Sequence, residues 1–523
     1  MSSPLAHSFE QERVPGQTAD IVQDGNYDCS DELSSSTETL RGVRLDLDDT
    51  PPIYKLLPEL LNTIFTLLTQ ELIGTDFEYI DDKPVSATTL ASVCSRWRSH
   101  ILGSPIHWSN LKIFLTGRMT EDSYEQAQVW AQRSRGAPLW ITIRDISDII
   151  DLSEQQPSRQ SLPESAFVRM IQFLNPLMPF ARSLSIQFLE FSPDLTVRTL
   201  LASWIQAGSP NFAERLELLI DPDLQELEVP VISPLARDEA LSPAQLSRLF
   251  ASLRAVHIEN VAIDWAKIAF ADLTHLHLEF GFESRQLPSQ QDISRLLAAS
   301  PRLQSLIIFG FTVTPSRPVP APVALDHLQQ LGLESMSMQS VGYVLPLISS
   351  SSDALRMAIS MGDEPAFVDA ARSFLARTKV TVLHADGGLP GSLPSISALF
   401  VHMPPLHTLT LSCCVLSEEN LGNFIAWRTS RDGRVNPWPA LRTLNVFQCT
   451  ITPDALQRFV EPFSPQTLGL WEPIPSEEAP PWRNEWDSNA RAQLEESLSR
   501  RGINVVWYES SGDTLPSWSF VMS

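Results

Sequence analysis

The feature that most restricts the fold of this chain is a short apolar pattern that keeps returning in it. Its clearest copy reads Leu441-x-x-Leu444-x-Val446-x-x-Cys449-x-Ile451. Leu406-x-x-Leu409-x-Leu411-x-x-Cys414-x-Leu416 repeats it, as does Leu253-x-x-Val256-x-Ile258-x-x-Val261-x-Ile263. Further copies begin at Leu303 (Leu306, Ile308, Phe311, Val313) and at Leu328 (Leu331, Leu333, Met336, Met338). Leu273-x-x-Leu276-x-Leu278 carries the front half only. The alternation in the middle of each copy predicts a short strand with one apolar face. A single strand of this kind cannot bury that face alone, so successive units must stack on one another. Helices predicted over Pro243–Phe250, Asp292–Ala299 and Pro453–Val460 carry the chain to the next strand. The spacing is irregular: 20 residues separate Leu253 from Leu273, and 35 separate Leu406 from Leu441. Loops at Asp221–Ser242 and Thr312–Pro322 absorb the differences. Further strands are expected around Leu139-x-Ile141-x-Ile143, Leu184-x-Ile186, Leu216-x-Leu218-x-Ile220, Val380-x-Val382 and Ile503-x-Val505-x-Trp507.

A different period precedes the repeats. Leu57, Leu60, Leu61, Ile64, Phe65, Leu67 and Leu68 recur at three- and four-residue spacing, which predicts a helix. Pro58 suits its first turn, where a missing N–H costs little, and Glu59 suits the positive end of the helix dipole. After the polar, acidic loop Gln70–Ser86, Ser86 is placed to cap a second helix marked by Leu90, Val93, Cys94, Trp97 and Ile101. Gly103 and Ser104-Pro105 end it, and Trp108 closes the unit.

The residue identities say more than the periods. Leu57-Pro58-Glu59-Leu60-Leu61…Ile64-Phe65…Leu67, followed by Leu90…Val93-Cys94…Trp97-Arg98…Ser104-Pro105…Trp108, resembles the F-box, in the style of F-box proteins from mushroom-forming fungi. The repeats resemble leucine-rich repeats in their cysteine-bearing form. Together they imply an α/β chain. A short helical F-box would be followed by a leucine-rich-repeat solenoid, a curved parallel sheet with outer helices. The expected layout is an acidic tail without stable structure over 1–50, the helical module over 51–112 and the irregular repeats over 113–523. A C-terminal cap is expected from about 462 to 523.

Composition narrows the function classes. The net charge of −24 argues against tracking a phosphate backbone, which needs a concentrated basic surface. The apolar fraction of 43% fits a folded chain. Five scattered cysteines make neither a disulfide framework nor a paired metal motif, which favours a reducing compartment, cytoplasmic or nuclear. The N-terminus has no secretory pattern, and no apolar run approaches the ~20 residues of a membrane helix.

Candidate chemistry is sparse. GxxxxGK[ST], HExxH and GxSxG do not occur, and no Ser/His/Asp spacing singles out a triad. Gly387-Gly388 and Gly391-Ser392 read as turns. Cys414 and Cys449 occupy a repeat position shared with Val261, Phe311 and Met336, so packing is the favoured role. Cys413 sits one residue out of that register, and Cys94 belongs to a helix face. His275 and His277 alternate along one strand beside Glu279, with His257 and Glu259 equivalent on the strand before. Such a patch suits a recognition face better than an ion, so no metal or other cofactor is assigned.

By resemblance, Leu57, Pro58, Leu60, Ile64, Leu67, Val93 and Trp97 match the F-box positions that seal the module or enter the groove of a Skp-family adaptor. The repeats are then expected to present His257, His275, His277, Ile307, Phe309, Thr408, Thr410, Asn445 and Phe447 to a target protein. The implied role is a non-enzymatic substrate adaptor of an SCF-type (cullin-RING) ubiquitin ligase. A protein-interaction scaffold outside such ligases is the alternative, and a metal-dependent enzyme at His257, His275 and His277 is the remaining one.

Overall fold

The structure, a computed structural model, describes residues 52–69, 86–115, 121–145, 164–188, 193–207, 213–220, 231–232, 243–263, 265, 270–280, 287–362, 364–387, 406–414, 441–449, 451–461, 463–471 and 488–508. The acidic tail, the loop from Gln70 to residue 85, most of Asp221–Ser242, and Gly388 with Gly391-Ser392 lie outside the described residues. The chain divides into two units, Met1–Leu61 and Asn62–Ser523.

Within the longer unit, fourteen of the described strands build one sheet whose spatial order follows the chain, and Val231–Ile232 with Ala262–Ile263 and Val323–Ala324 with Ile348–Ser349 form two small parallel pairs. They are Asn110–Leu115 (β1), Leu139–Asp145 (β2), Ala181–Phe188 (β3), Arg215–Ile220 (β4), Ala255–Glu259 (β5), His275–Glu279 (β6) and Ser305–Phe309 (β7). Gln330–Glu334 (β8), Leu355–Ser360 (β9), Val380–Asp386 (β10), Thr408–Ser412 (β11), Thr443–Phe447 (β12), Thr467–Trp471 (β13) and Asn504–Tyr508 (β14) complete it. Every neighbouring pair is parallel. A parallel neighbour needs a connection that returns the chain to the same end, and most of the described connections carry a helix. The result is a solenoid-like α/β arrangement.

The repeat pattern explains the core. Val256 and Ile258, Leu276 and Leu278, Leu306 and Ile308, Leu331 and Leu333, Leu409 and Leu411, and Leu444 and Val446 all join one buried apolar cluster. The later apolar position follows them inward at Val261, Phe311, Met336 and Cys414, while Cys449 is partly buried against the cluster. Between strand and inward position the backbone repeats a device. Asn260, Gly310, Ser335, Cys413 and Gln448 each follow directly on a strand and take positive φ, between 47° and 68°. That left-handed residue turns the chain inward while its amide still extends the ladder. Asn260 N donates to Glu279 O at 2.8 Å, and Cys413 N donates to Phe447 O at 3.1 Å. L-residues pay about 1–2 kcal/mol for this conformation. At Gly310 the choice is forced further, because a Cβ would collide with the Phe280 carbonyl oxygen.

The helices are Pro58–Thr69 (α1), Ala87–Val93 (α2), Ser95–Gly103 (α3), Glu121–Ser134 (α4), Glu164–Leu174 (α5), Pro193–Ala207 (α6), Pro243–Ser252 (α7), Gln290–Ala299 (α8), Met338–Val344 (α9), Pro365–Arg377 (α10), Pro453–Val460 (α11) and Ser488–Ser499 (α12). Local chemistry sets several starts. Ser289 and Asp292 close a reciprocal capping box on α8, and Thr452 caps α11 just before a proline at the first turn. Trp204 ties α6 to the sheet by donating from Nε1 to Ala181 O at 3.0 Å. No described helix is long and apolar enough to cross a membrane.

Three expectations need correction. The second module helix is two helices. Cys94 is extended (φ −158°, ψ 167°), so α2 ends there and α3 begins, with Cys94 Sγ capping Trp97 N at 3.4 Å. β1, β9 and β13 were not anticipated. β1 begins at Asn110, inside the stretch assigned to the helical module, while β14 is the strand expected around Ile503-x-Val505-x-Trp507. Val382 does not join Val380 inside. The β9–β10 register slips at Thr381, so Leu383 and Ala385 face the core instead.

Candidate functional site

Two regions carry side chains that a merely stable fold does not require. The first is helical. In the shorter unit Leu57 and Leu60 are 63% and 50% exposed, and Pro58 is exposed at the start of α1. In the longer unit Ile64, Leu67 and Leu68 on α1 and Val93 at the end of α2 are also exposed, with Leu67 at 55% and Val93 at 57%. The apolar residues between them are sealed: Phe65, Leu90, Ile101 and Trp108 are buried. Phe65 meets Trp97 edge to face at 4.8 Å, so the half-buried Trp97 supports the interior. Asn62 Oδ1 lies 3.0 Å from both Ser104 Oγ, which donates to it, and His107 Nε2, binding α1 to the Ser104-Pro105 turn. Trp108 Nε1 donates to Ile101 O at 2.9 Å. Burial, with His100 second, pushes His107 down to about 4, so its ring is neutral at physiological pH.

The second region is the sheet face opposite the apolar core. The register aligns Ser185, Glu217, His257, His277, Ile307, Gly332, Ala358, His384, Thr410, Asn445 and Gly469 in one row across β3 to β13. The row is polar towards both ends and small or apolar in the middle. His257 and His277 stack with ring centroids 4.0 Å apart and planes 8° apart. His257 Nδ1 lies 3.4 Å from Glu217 Oε1, Arg215 is 3.6 Å from that same carboxylate, and His277 Nε2 is 3.5 Å from Glu279 Oε2. Burial, then the His277 neighbour, pushes His257 down to about 4. Burial works to raise Glu217, but the His257 contact and the Arg215 charge outweigh it and hold the carboxyl near 2.

Further along, Glu334 Oε1 lies 3.1 Å from His384 Nδ1, and His384 Nε2 lies 2.8 Å from Ser412 Oγ. These are the spacings of an acid–base–nucleophile relay. Ser412 Oγ, however, donates to Asp386 at 3.1 Å, and all three relay residues are at most 4% exposed. The arrangement therefore joins buried polar groups to one another. Sequence reasoning missed Glu217, Glu334, His384, Asp386 and Ser412. Strand alternation around His384 was the available signal, and the slip at Thr381 inverted its phase.

The target-facing residues are less open than their alternation suggested. His257, His277, Ile307, Thr410, Asn445 and Phe447 are buried, and His275, Phe309 and Thr408 are half-buried. Strands ~4.8 Å apart let side chains in register shield one another. Asn445 Nδ2 donates to Thr410 Oγ1 at 3.2 Å, and Phe447 packs against Trp471 and Tyr508. His275 does not join His277 but meets Thr274 Oγ1 at 3.0 Å. Burial and the Asp386 charge push the Cys413 thiol up to about 12, and the Cys449 contact followed by burial raises Cys414 well above the ordinary range. Neither is a poised nucleophile. Neither a protein-family model nor a curated protein matches the chain. Fold and site define an α/β protein with a long parallel sheet and an exposed apolar helix surface.

Proposed function

We propose that the chain is the substrate-recognition subunit of an SCF-type (cullin-RING) ubiquitin ligase, with an F-box in α1 to α3 and a leucine-rich-repeat solenoid behind it. One observation carries the reading: five of the seven residues matched to the apolar F-box positions, Leu57, Leu60, Ile64, Leu67 and Val93, are exposed large apolar side chains. Exposed large apolar residues that the interior does not need mark a partner surface. A Skp-family adaptor supplies the matching groove, and Leu67 and Val93 enter it as anchors. Pro58 starts the docking helix, while Trp97 braces it from within. The repeat sheet holds the target protein through its half-buried rim residues, His275, Phe309 and Thr408. The chain makes and breaks no bonds. It raises the effective concentration of a target lysine beside a ubiquitin-loaded enzyme.

Co-purification tests this. The full chain should retain a Skp-type adaptor and a cullin, and Pro58→Ala with Leu60→Ala should lose both while the repeats stay folded. Undiminished association of that variant would show the docking assignment to be wrong.

A further inference from the structure

The docking reading leaves one side-chain cluster unused. His257 on β5 and His277 on β6 are in-register neighbours, and Glu279 follows two residues along β6 on the same face. One ligand atom from each of His257, His277 and Glu279 lies within 4.8 Å of the other two. A tetrahedral ion at about 2.1 Å from its ligands holds them about 3.4 Å apart, so the stacked His257 and His277 rings, whose nitrogen lone pairs lie in near-parallel planes, must turn out of their stack to converge on one ion. The His277 Nε2 to Glu279 Oε2 pair already stands at 3.5 Å.

The surroundings add a second argument. Glu217 Oε1 is 3.4 Å from His257 Nδ1 and is itself steadied by Arg215 at 3.6 Å. A carboxylate behind one ring nitrogen fixes the tautomer and orientation of a ligating imidazole and directs the other nitrogen to the ion. His275, two residues before His277, meets Thr274 and stands outside this set. Glu279 is half-buried where both histidines are buried, so the open side of the cluster lies towards Glu279. Two imidazoles and one carboxylate suit a borderline divalent ion with a water in the remaining position.

We propose that His257, His277 and Glu279 form a three-ligand site for a first-row divalent transition ion, Zn2+ foremost, with Glu217 as the positioning residue behind His257. The site is independent of the adaptor-docking reading, and either can fail alone. It ties β5 to β6 on the sheet's polar face.

The test uses the full chain stripped of metal, titrated with Zn2+ by calorimetry and with Co2+ by visible absorption. One ion per chain is expected, with tetrahedral cobalt bands and a Zn2+-dependent rise in melting temperature. Glu279→Gln and His277→Gln should each weaken Zn2+ binding at least about tenfold, and Glu217→Gln by about 10–100-fold. His275→Gln should bind as the unaltered chain does. If His277→Gln fails to fold, the half-buried Glu279→Gln still decides the matter. Absence of saturable binding, or equal binding by Glu279→Gln, overturns the site. So does loss of binding in His275→Gln equal to that in Glu279→Gln.

Discussion

The α1–α3 region and the polar face of the sheet invert the usual rule in opposite directions. On α1 and α2, leucine, isoleucine and valine stand in solvent. On the sheet, histidine, glutamate, serine, threonine and asparagine are buried. The helices tolerate exposure because their interior is already sealed by Phe65, Ile101 and Trp108, which leaves the outer face available for another role. On the sheet the strict register sets polar groups of neighbouring strands against one another, as with Asn445 and Thr410 or His384 and Ser412. Exposed apolar residues that stability does not need point to a partner. Buried polar residues that are mutually satisfied point first to specificity of the fold.

The largest test of this contrast compares neighbours on α1. Phe65→Ala should cost about 3–5 kcal/mol in urea denaturation, since it empties a fully buried ring site. Leu67→Ala should stay within about 0.5 kcal/mol, because its side chain leaves no cavity. Equal costs would erase the distinction between sealed and presented residues. On the sheet, Ser412→Ala should lower stability by about 1–3 kcal/mol, because His384 and Asp386 both lose a buried hydrogen-bond partner. A neutral result would mean that the Glu334–His384–Ser412–Asp386 network is not what steadies those strands. Gly310→Ala should cost a comparable 1–3 kcal/mol, roughly, through its left-handed φ and the Phe280 carbonyl. Native-state hydrogen exchange around β6 and β7 would localise the damage.

A further effect is a tilt of stability with pH. His107 is held to about 4 in the folded chain against an ordinary value of 6.5. The unfolded chain therefore takes up this proton first as pH falls. The stabilisation is fully present above pH 6.5 and is lost progressively as pH drops towards 4. His107→Gln should flatten that part of the pH–stability curve, measured by thermal melts between pH 4 and 7.

Much of the core was legible in the sequence. Leu444 and Val446, Leu409 and Leu411, and Leu276 and Leu278 face inward as their alternation required, and Ser86 caps α2 as its position suggested. Two things were not legible. One was the phase of β10, since a one-residue slip at Thr381 leaves no mark on composition and hides His384. The other was exposure. Alternation says which face a residue is on, but only the register shows that His257 is covered by His277 or Asn445 joined to Thr410. Cys94 taught the same lesson locally, because a helical period continues through it while the backbone does not.

Under the proposed function, a Skp-family adaptor covers the exposed apolar residues of α1 and α2. The most direct test is the dissociation constant between the full chain and a purified Skp-type adaptor, measured beside the double variant Leu67→Asp, Val93→Asp. Saturable one-to-one binding is expected, weakened at least about 30-fold in the variant, as for anchors worth about 2 kcal/mol or more, with no change in melting temperature. Absence of binding by the unaltered chain, or equal binding by the variant, would contradict it.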